Sequence, residues 1–199
     1  MIGGRNVKRT GIAVLCLAVL LCGCGKGEEE EIKGLQSSYE NAQSLTMSGE
    51  ITCHLAGENR SFTVVTTWSP EGATTTITAP EELAGLSATV TGDELLLRYE
   101  GAALSAGTPI VLSPAACVPY LIRSVADGYL LEYGSETIDG MECLRLAFDT
   151  TATDGSKILC TVWFERGTMV PCYTEFPTDG VVVLTIRTLS FEMTQKEGA

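Results

Sequence analysis

The sequence predicts a mainly β, α+β domain: a single strongly curved antiparallel sheet of about ten strands, with one leading helix and one short inserted helix. Three observations carry this. Apolar residues before Ser44 recur at helical spacing, those after it alternate with polar ones, and glycine-bearing turn dipeptides punctuate the remainder at short intervals. With 199 residues, 45% of them hydrophobic and 19% charged, the chain is long enough to bury a core and too apolar for a disordered tail.

The first element is an address. Arg5, Lys8 and Arg9 precede an unbroken apolar run from Ile12 to Cys22. That run is too short for a bilayer span of about 20 residues and suits a secretory h-region. Leu21, Cys22, Gly23 and Cys24 follow. They resemble the lipobox of bacterial lipoproteins, with Leu21 at −3, the small Gly23 at −1 and Cys24 as the residue that is lipidated. Cys22 is the poorer acceptor, because Leu21 would then occupy the −1 position. The expected division is a signal peptide over 1–23, a lipidated cysteine and acidic tether over 24–35, a domain over 36–194 and a tail over 195–199. A diacylglyceryl group supplies two chains, enough for stable attachment to the outer face of the cell membrane. Glu28 to Glu31 read as a solvated spacer feeding a helix N-terminus, where negative charge is favourable.

Ile32, Leu35, Tyr39 and Ala42 then mark one face of a helix over 29–42. Leu45, Met47, Ile51, Cys53 and Leu55 alternate with polar residues as a half-buried strand, with Gly57-Glu58-Asn59 as the turn after it. Strands follow over 62–68, 74–78, 86–91 and 94–100, the last two joined by Gly92-Asp93. Residues 109–119 read as loop and 119–127 as a short helix, with Pro119 in its first turn and Gly128 just past its end. Five more strands occupy 129–133, 141–149, 158–165, 169–176 and 181–191. Asp139-Gly140, Asp154-Gly155, Arg166-Gly167 and Asp179-Gly180 supply the turns. Connections this short exclude parallel pairing.

Composition excludes several functions. Thirteen basic against 25 acidic residues give a net charge of −12, which excludes a general nucleic-acid surface. The single histidine, His54, falls on the polar side of its strand and reads as solvated rather than as a catalytic base. Glu81-Glu82 and Asp93-Glu94 lie in turn-like segments, and no phosphate loop, metalloprotease or dinucleotide motif is present. No enzyme, metal or cofactor is expected. Cys53, Cys117, Cys143, Cys160 and Cys172 remain in the domain; five is odd, and free buried thiols are expected, with Cys143–Cys160 the guess for any single bridge.

Several strings bear a likeness to a known family. Ser48-Gly49-Glu50-Ile51 resembles the opening strand, and residues 90–99 the central hairpin, of the LolA/LolB lipoprotein-carrier superfamily, which includes the RseB/MucB N-terminal domain and Gram-positive lipoproteins. Trp163-Phe164-Glu165 with Met169-Val170-Pro171 and Thr174-Glu175-Phe176 is similar to its penultimate hairpin. The resemblance implies a half-barrel whose concave apolar face is partly covered by helices and holds an acyl chain, a lipid or a partner's hydrophobic segment. On that reading Phe62, Trp68, Leu97, Tyr99 and Trp163 line the concavity, and Tyr120, Leu121 and Val125 of the short helix form its lid. The alternative is a docking scaffold for an envelope or spore-cortex enzyme, as for the family's GerS branch, which works through a cell-wall amidase.

Overall fold

The computed structural model describes residues 25–55, 58–92, 94–108, 112–152 and 155–196. The leader and the lipobox residues Leu21, Cys22, Gly23 and Cys24 lie outside them. The described residues fall into two compact units, divided between Leu35 and Gln36.

Helix α1 spans Gly25–Glu40 and so begins earlier than the apolar spacing predicts. The run Glu28–Glu31 lies inside it rather than ahead of it. Glutamate is a good helix former, and its charge is favourable near the N-terminus.

All of the sheet lies in the second unit. Its strands are β1 (Ala42–Leu55), β2 (Glu58–Ser69), β3 (Gly72–Ala79), β4 (Ser87–Thr91), β5 (Glu94–Tyr99) and β6 (Ala102–Ser105). After the inserted helix come β7 (Tyr129–Ile138), β8 (Met141–Thr151), β9 (Lys157–Glu165), β10 (Pro171–Thr178) and β11 (Val181–Gln195). They form one antiparallel sheet in the order β6-β5-β4-β3-β2-β1-β11-β10-β9-β8-β7. The expected class is what the structure shows, with β6 the strand the sequence did not announce. All four of its residues are exposed, so it carries no alternation to read. Glu58 and Asn59, expected in a turn, already belong to β2, because Leu55 pairs with Glu58. Asp139-Gly140 and Asp179-Gly180 both have positive φ at each residue, the tight hairpin geometry that such dipeptides favour.

Helix α2 (Cys117–Asp127) starts two residues before Pro119. Gly128 follows it for a reason other than the one expected. Its φ of −68° needs no glycine. A Cβ there would instead collide with the Ser124 carbonyl oxygen and press on Phe148.

The edge strands β6 and β7 are consecutive in sequence, so residues 106–128 must connect the two ends of the sheet. Eleven flat strands would place those edges about 48 Å apart. The 11 residues of α2 span about 16 Å, and the rest of the connection, fully extended, at most about 40 Å. A curved sheet brings those edges closer together, and within the connection α2 packs on β8 and β9.

Register assigns the two faces. Leu45, Met47, Gly49 and Ile51 of β1 face inward with Trp68, Thr66, Val64 and Phe62 of β2, and β11 continues the layer with Ile186 and Leu184. Across β8 to β10 the layer consists of Leu144, Leu146, Phe148, Val162, Phe164 and Phe176, each fully buried. Helix α2 packs on β8 and β9 with Leu121, Ile122 and Val125. Tyr39, in the last turn of α1, sets its ring edge-on to Phe164 and beside Phe191, both centroids at 6.2 Å.

Candidate functional site: an apolar cavity on the inner face

The two halves of the inner face differ. Under α2 it is packed core. On the β2 to β5 side, Phe62, Ile77, Leu95 and Leu97 are only half-buried, and with Leu83, Leu86 and Ala88 they line a cavity of about 350 Å³. Residues 113–115, the strap leading into α2, form its other wall. Its size is at the lower end of small-molecule sites, and such sites are lined as this one is, by apolar side chains with few polar groups.

Among the described residues, two hydroxyls belong to the lining. Thr75 is satisfied by Thr66 at 3.0 Å. Ser113 Oγ is buried and has no hydrogen-bond partner. The cavity thus offers apolar walls and one unanswered polar group. Water needs two to four partners to be held in such a place. At its rim, Leu104 pairs with Leu97 across β5 and β6 and is 64% exposed.

A second cavity, of about 490 Å³, opens beside α2 and is lined by Tyr39, Trp68 and Tyr120 together with Glu40, Arg123, Asp127 and Lys196. Its mixed charges suit a polar or solvated ligand rather than an acyl chain.

The predicted lining residues therefore separate. Phe62 and Leu97 meet in the apolar cavity, and Trp68 and Tyr120 in the polar one. Leu121 and Val125 are fully buried and belong to the core beneath α2. Tyr99 faces inward by register but lies outside both cavities, its hydroxyl donating to the Glu82 carbonyl at 3.4 Å. Trp163 is a correction. It pairs with Arg145 and Tyr173 on the opposite face, because Val162 and Phe164 take the inward positions of β9. It is buried there under Tyr173, at 5.4 Å, and the Arg145 guanidinium, at 5.6 Å, and its Nε1 donates to Glu136 at 2.9 Å. Sequence reasoning missed Leu95, Ile77, Leu83, Leu86 and Ser113. Leu95 was recoverable, since it shares a strand face with Leu97; Leu83 and Ser113 come from irregular segments with no period to read.

His54 contacts Asn59 Oδ1 at 3.2 Å and Thr185 Oγ1 at 3.3 Å. Among the described residues, no three His, Cys, Asp or Glu side chains converge as metal ligands, and no helix is long and apolar enough to cross a membrane. The five cysteines among the described residues are free thiols. Burial raises the pKa of Cys53, Cys117 and Cys160, which keeps those thiols protonated. The guessed Cys143–Cys160 pairing does not occur. Cys143 sits opposite Glu165 and Cys160 opposite Phe148, five positions away along β8 and on the other face. The neighbour of Cys143 is Cys172.

No family model and no curated protein matches the chain. Solved structures do. A LolA superfamily protein from Nitrosomonas europaea is 14% identical, with a TM-score of 0.44, over 84% of this chain and 94% of that one. The lipoprotein LppX from Mycobacterium tuberculosis is 17% identical, with a TM-score of 0.43, over 85% and 95%. A chain of the CwlD amidase–GerS lipoprotein complex from Clostridioides difficile is 16% identical, with a TM-score of 0.44, over 96% and 99%. These structures are of LolA-superfamily and lipoprotein kind. At such scores they remain likenesses, and the architecture stands on the strand order of this chain.

Proposed function

We propose that this protein is a lipoprotein tethered outside the cell membrane through Cys24, and a non-enzymatic binding module whose inner-face cavity holds an acyl chain or similar lipid segment. The cavity of about 350 Å³ carries the reading. It is apolar, it has a hydrophobic rim at Leu104, and its single free hydroxyl, on Ser113, can bond the polar end of an amphipathic ligand. Burying a chain there releases water from apolar surface on both sides, the main favourable term in such binding. The tether follows from the charged, apolar and small-residue order ahead of Cys24.

Native mass spectrometry of residues 25–199, made without the lipid anchor, tests this before and after organic extraction. A lipid-mass adduct that extraction removes is the expected result. A bare protein mass, unchanged when lipid is supplied in excess, would sink the reading.

One observation favours a docking scaffold as the second reading. Tyr129 is 74% and Leu131 51% exposed on the free edge strand β7, beside the exposed Leu159. An unpaired edge with apolar side chains is a surface a protein partner can extend.

A further inference from the structure

Cys143 and Cys172 stand on β8 and β10, which β9 separates in the sheet. Strands two places apart lie about 9.6 Å from one another, yet the two sulfurs are 3.5 Å apart. Two local features bring them together. The register of β10 against β9 shifts between Pro171 and Tyr173, so Cys172 is an extra residue free of the ladder. And Cys143 lies opposite Glu165, the last residue of β9, on the outer face of the sheet, where the adjoining Phe164 turns its side chain inward and leaves the strand's outer surface uncovered. The sulfurs meet over the outer face of β9 at Phe164, whose side chain points the other way, into the core. Cys143 Sγ is held 3.5 Å from the Met141 carbonyl oxygen and Cys172 Sγ 3.2 Å from that of Trp163. Among the described residues no other pair of thiols makes such a contact.

We infer that Cys143 and Cys172 are a disulfide-forming pair that, when oxidised, clamps β8 to β10 across the end of β9. Cys143 is buried and Cys172 half-buried, so Cys172 is the sulfur an outside reagent reaches. The co-reactant is a disulfide, either of low molecular weight or of an oxidoreductase. Cys172 gives up its proton and attacks one sulfur of that disulfide, releasing the other as a thiol and leaving a mixed disulfide. Cys143 then attacks the Cys172 sulfur and expels the second thiol. Two protein thiols lose two electrons and two protons, and the reagent disulfide gains both to become two thiols. Burial and the neighbouring Cys143 push the Cys172 thiol up to about 12, which makes the first attack slow at neutral pH and favours exchange at an enzyme's disulfide. The inference is independent of what the inner-face cavity holds.

The test is to treat the folded full-length chain in detergent with oxidised glutathione, alkylate in denaturant with N-ethylmaleimide, and map the peptides. A cross-linked peptide joining Cys143 to Cys172, with Cys53, Cys117 and Cys160 alkylated, is expected. Maleimide on both Cys143 and Cys172, glutathione retained on Cys172 beside an alkylated Cys143, or a bridge joining either of them to another cysteine would overturn it. Cys172→Ser alters the half-buried partner and spares the buried one. With folding verified by circular dichroism, this variant should form no bridge at all; a Cys143 bridge to another thiol in it would likewise refute the assignment.

Discussion

Ala88 is the position from which the cavity can be closed by design. It lies on β4 between Thr75 and Leu97, both of which face the cavity, so its Cβ is in the floor. A dry apolar cavity of about 150 Å³ already accommodates benzene, and this one is about 350 Å³. A phenyl group at residue 88 therefore has room without displacing the walls, and phenylalanine suits a strand. An added ring that buries on the order of 100 Å² contributes roughly 2.5 kcal/mol at 25 cal/mol per Å². Ordering the side chain costs roughly a third of that, leaving a net gain of about 1.5–2 kcal/mol. For a domain of this size the melting temperature should rise by roughly 3–8 °C. Lipid retention should fall at least tenfold, about 1.4 kcal/mol of binding. Thermal unfolding monitored by circular dichroism and native mass spectrometry of Ala88→Phe measure the two effects. A variant that is stabilised yet keeps its lipid would place the ligand elsewhere. One destabilised by more than about 1 kcal/mol would mean overpacking, and hence no such cavity in solution.

Tyr39 is fully buried and its hydroxyl has no partner, so Tyr39→Phe should stabilise the fold by about 1 kcal/mol in urea titration; a loss of similar size would reveal a bonded internal water. Gly128→Ala places a methyl group against the Ser124 carbonyl and should cost about 1–3 kcal/mol in urea titration of the variant against the parent protein. The Cys143–Cys172 bridge would close a loop between residues 29 apart, worth about 3–4 kcal/mol if chain entropy dominates, and the oxidised chain should melt correspondingly higher. Because the thiolate is the nucleophile and Cys172 is raised to about 12, its exchange with oxidised glutathione should accelerate about tenfold per pH unit between pH 7 and 9. A flat profile would show that some other step limits the reaction.

The sheet was legible because its strands carry alternation and its turns carry chemistry. Leu45 to Leu55 and the two Asp-Gly hairpins are the plain cases. Strand β6 was not legible: Ala102–Ser105 is exposed throughout and pairs only because the Glu100-Gly101 turn folds it onto β5. For the site, alternation identifies which residues share a face but not which face is inward. Trp163 shows this. Large and apolar, it was placed in the concavity, yet it sits one residue from the inward Phe164 and is buried by the stem and guanidinium of Arg145. Phe62 and Leu97 alternated in the same way and did face inward. What separates lining from core on that face is the path of α2, a tertiary fact: it covers Leu144 and Phe148 and leaves Leu97 half-bare.

The centre of the sheet is made by the first and last strands, with Ala42 opposite Gln195 and Cys53 opposite Leu184. Each wing, β2 to β6 and β7 to β10, is a meander of neighbours, but the seam joining them needs nearly the whole chain. Such high contact order makes folding slow, and a polypeptide emerging N-terminus first cannot complete the seam until its final strand is free. The seam that holds the two wings together is therefore the last pairing a growing chain can complete.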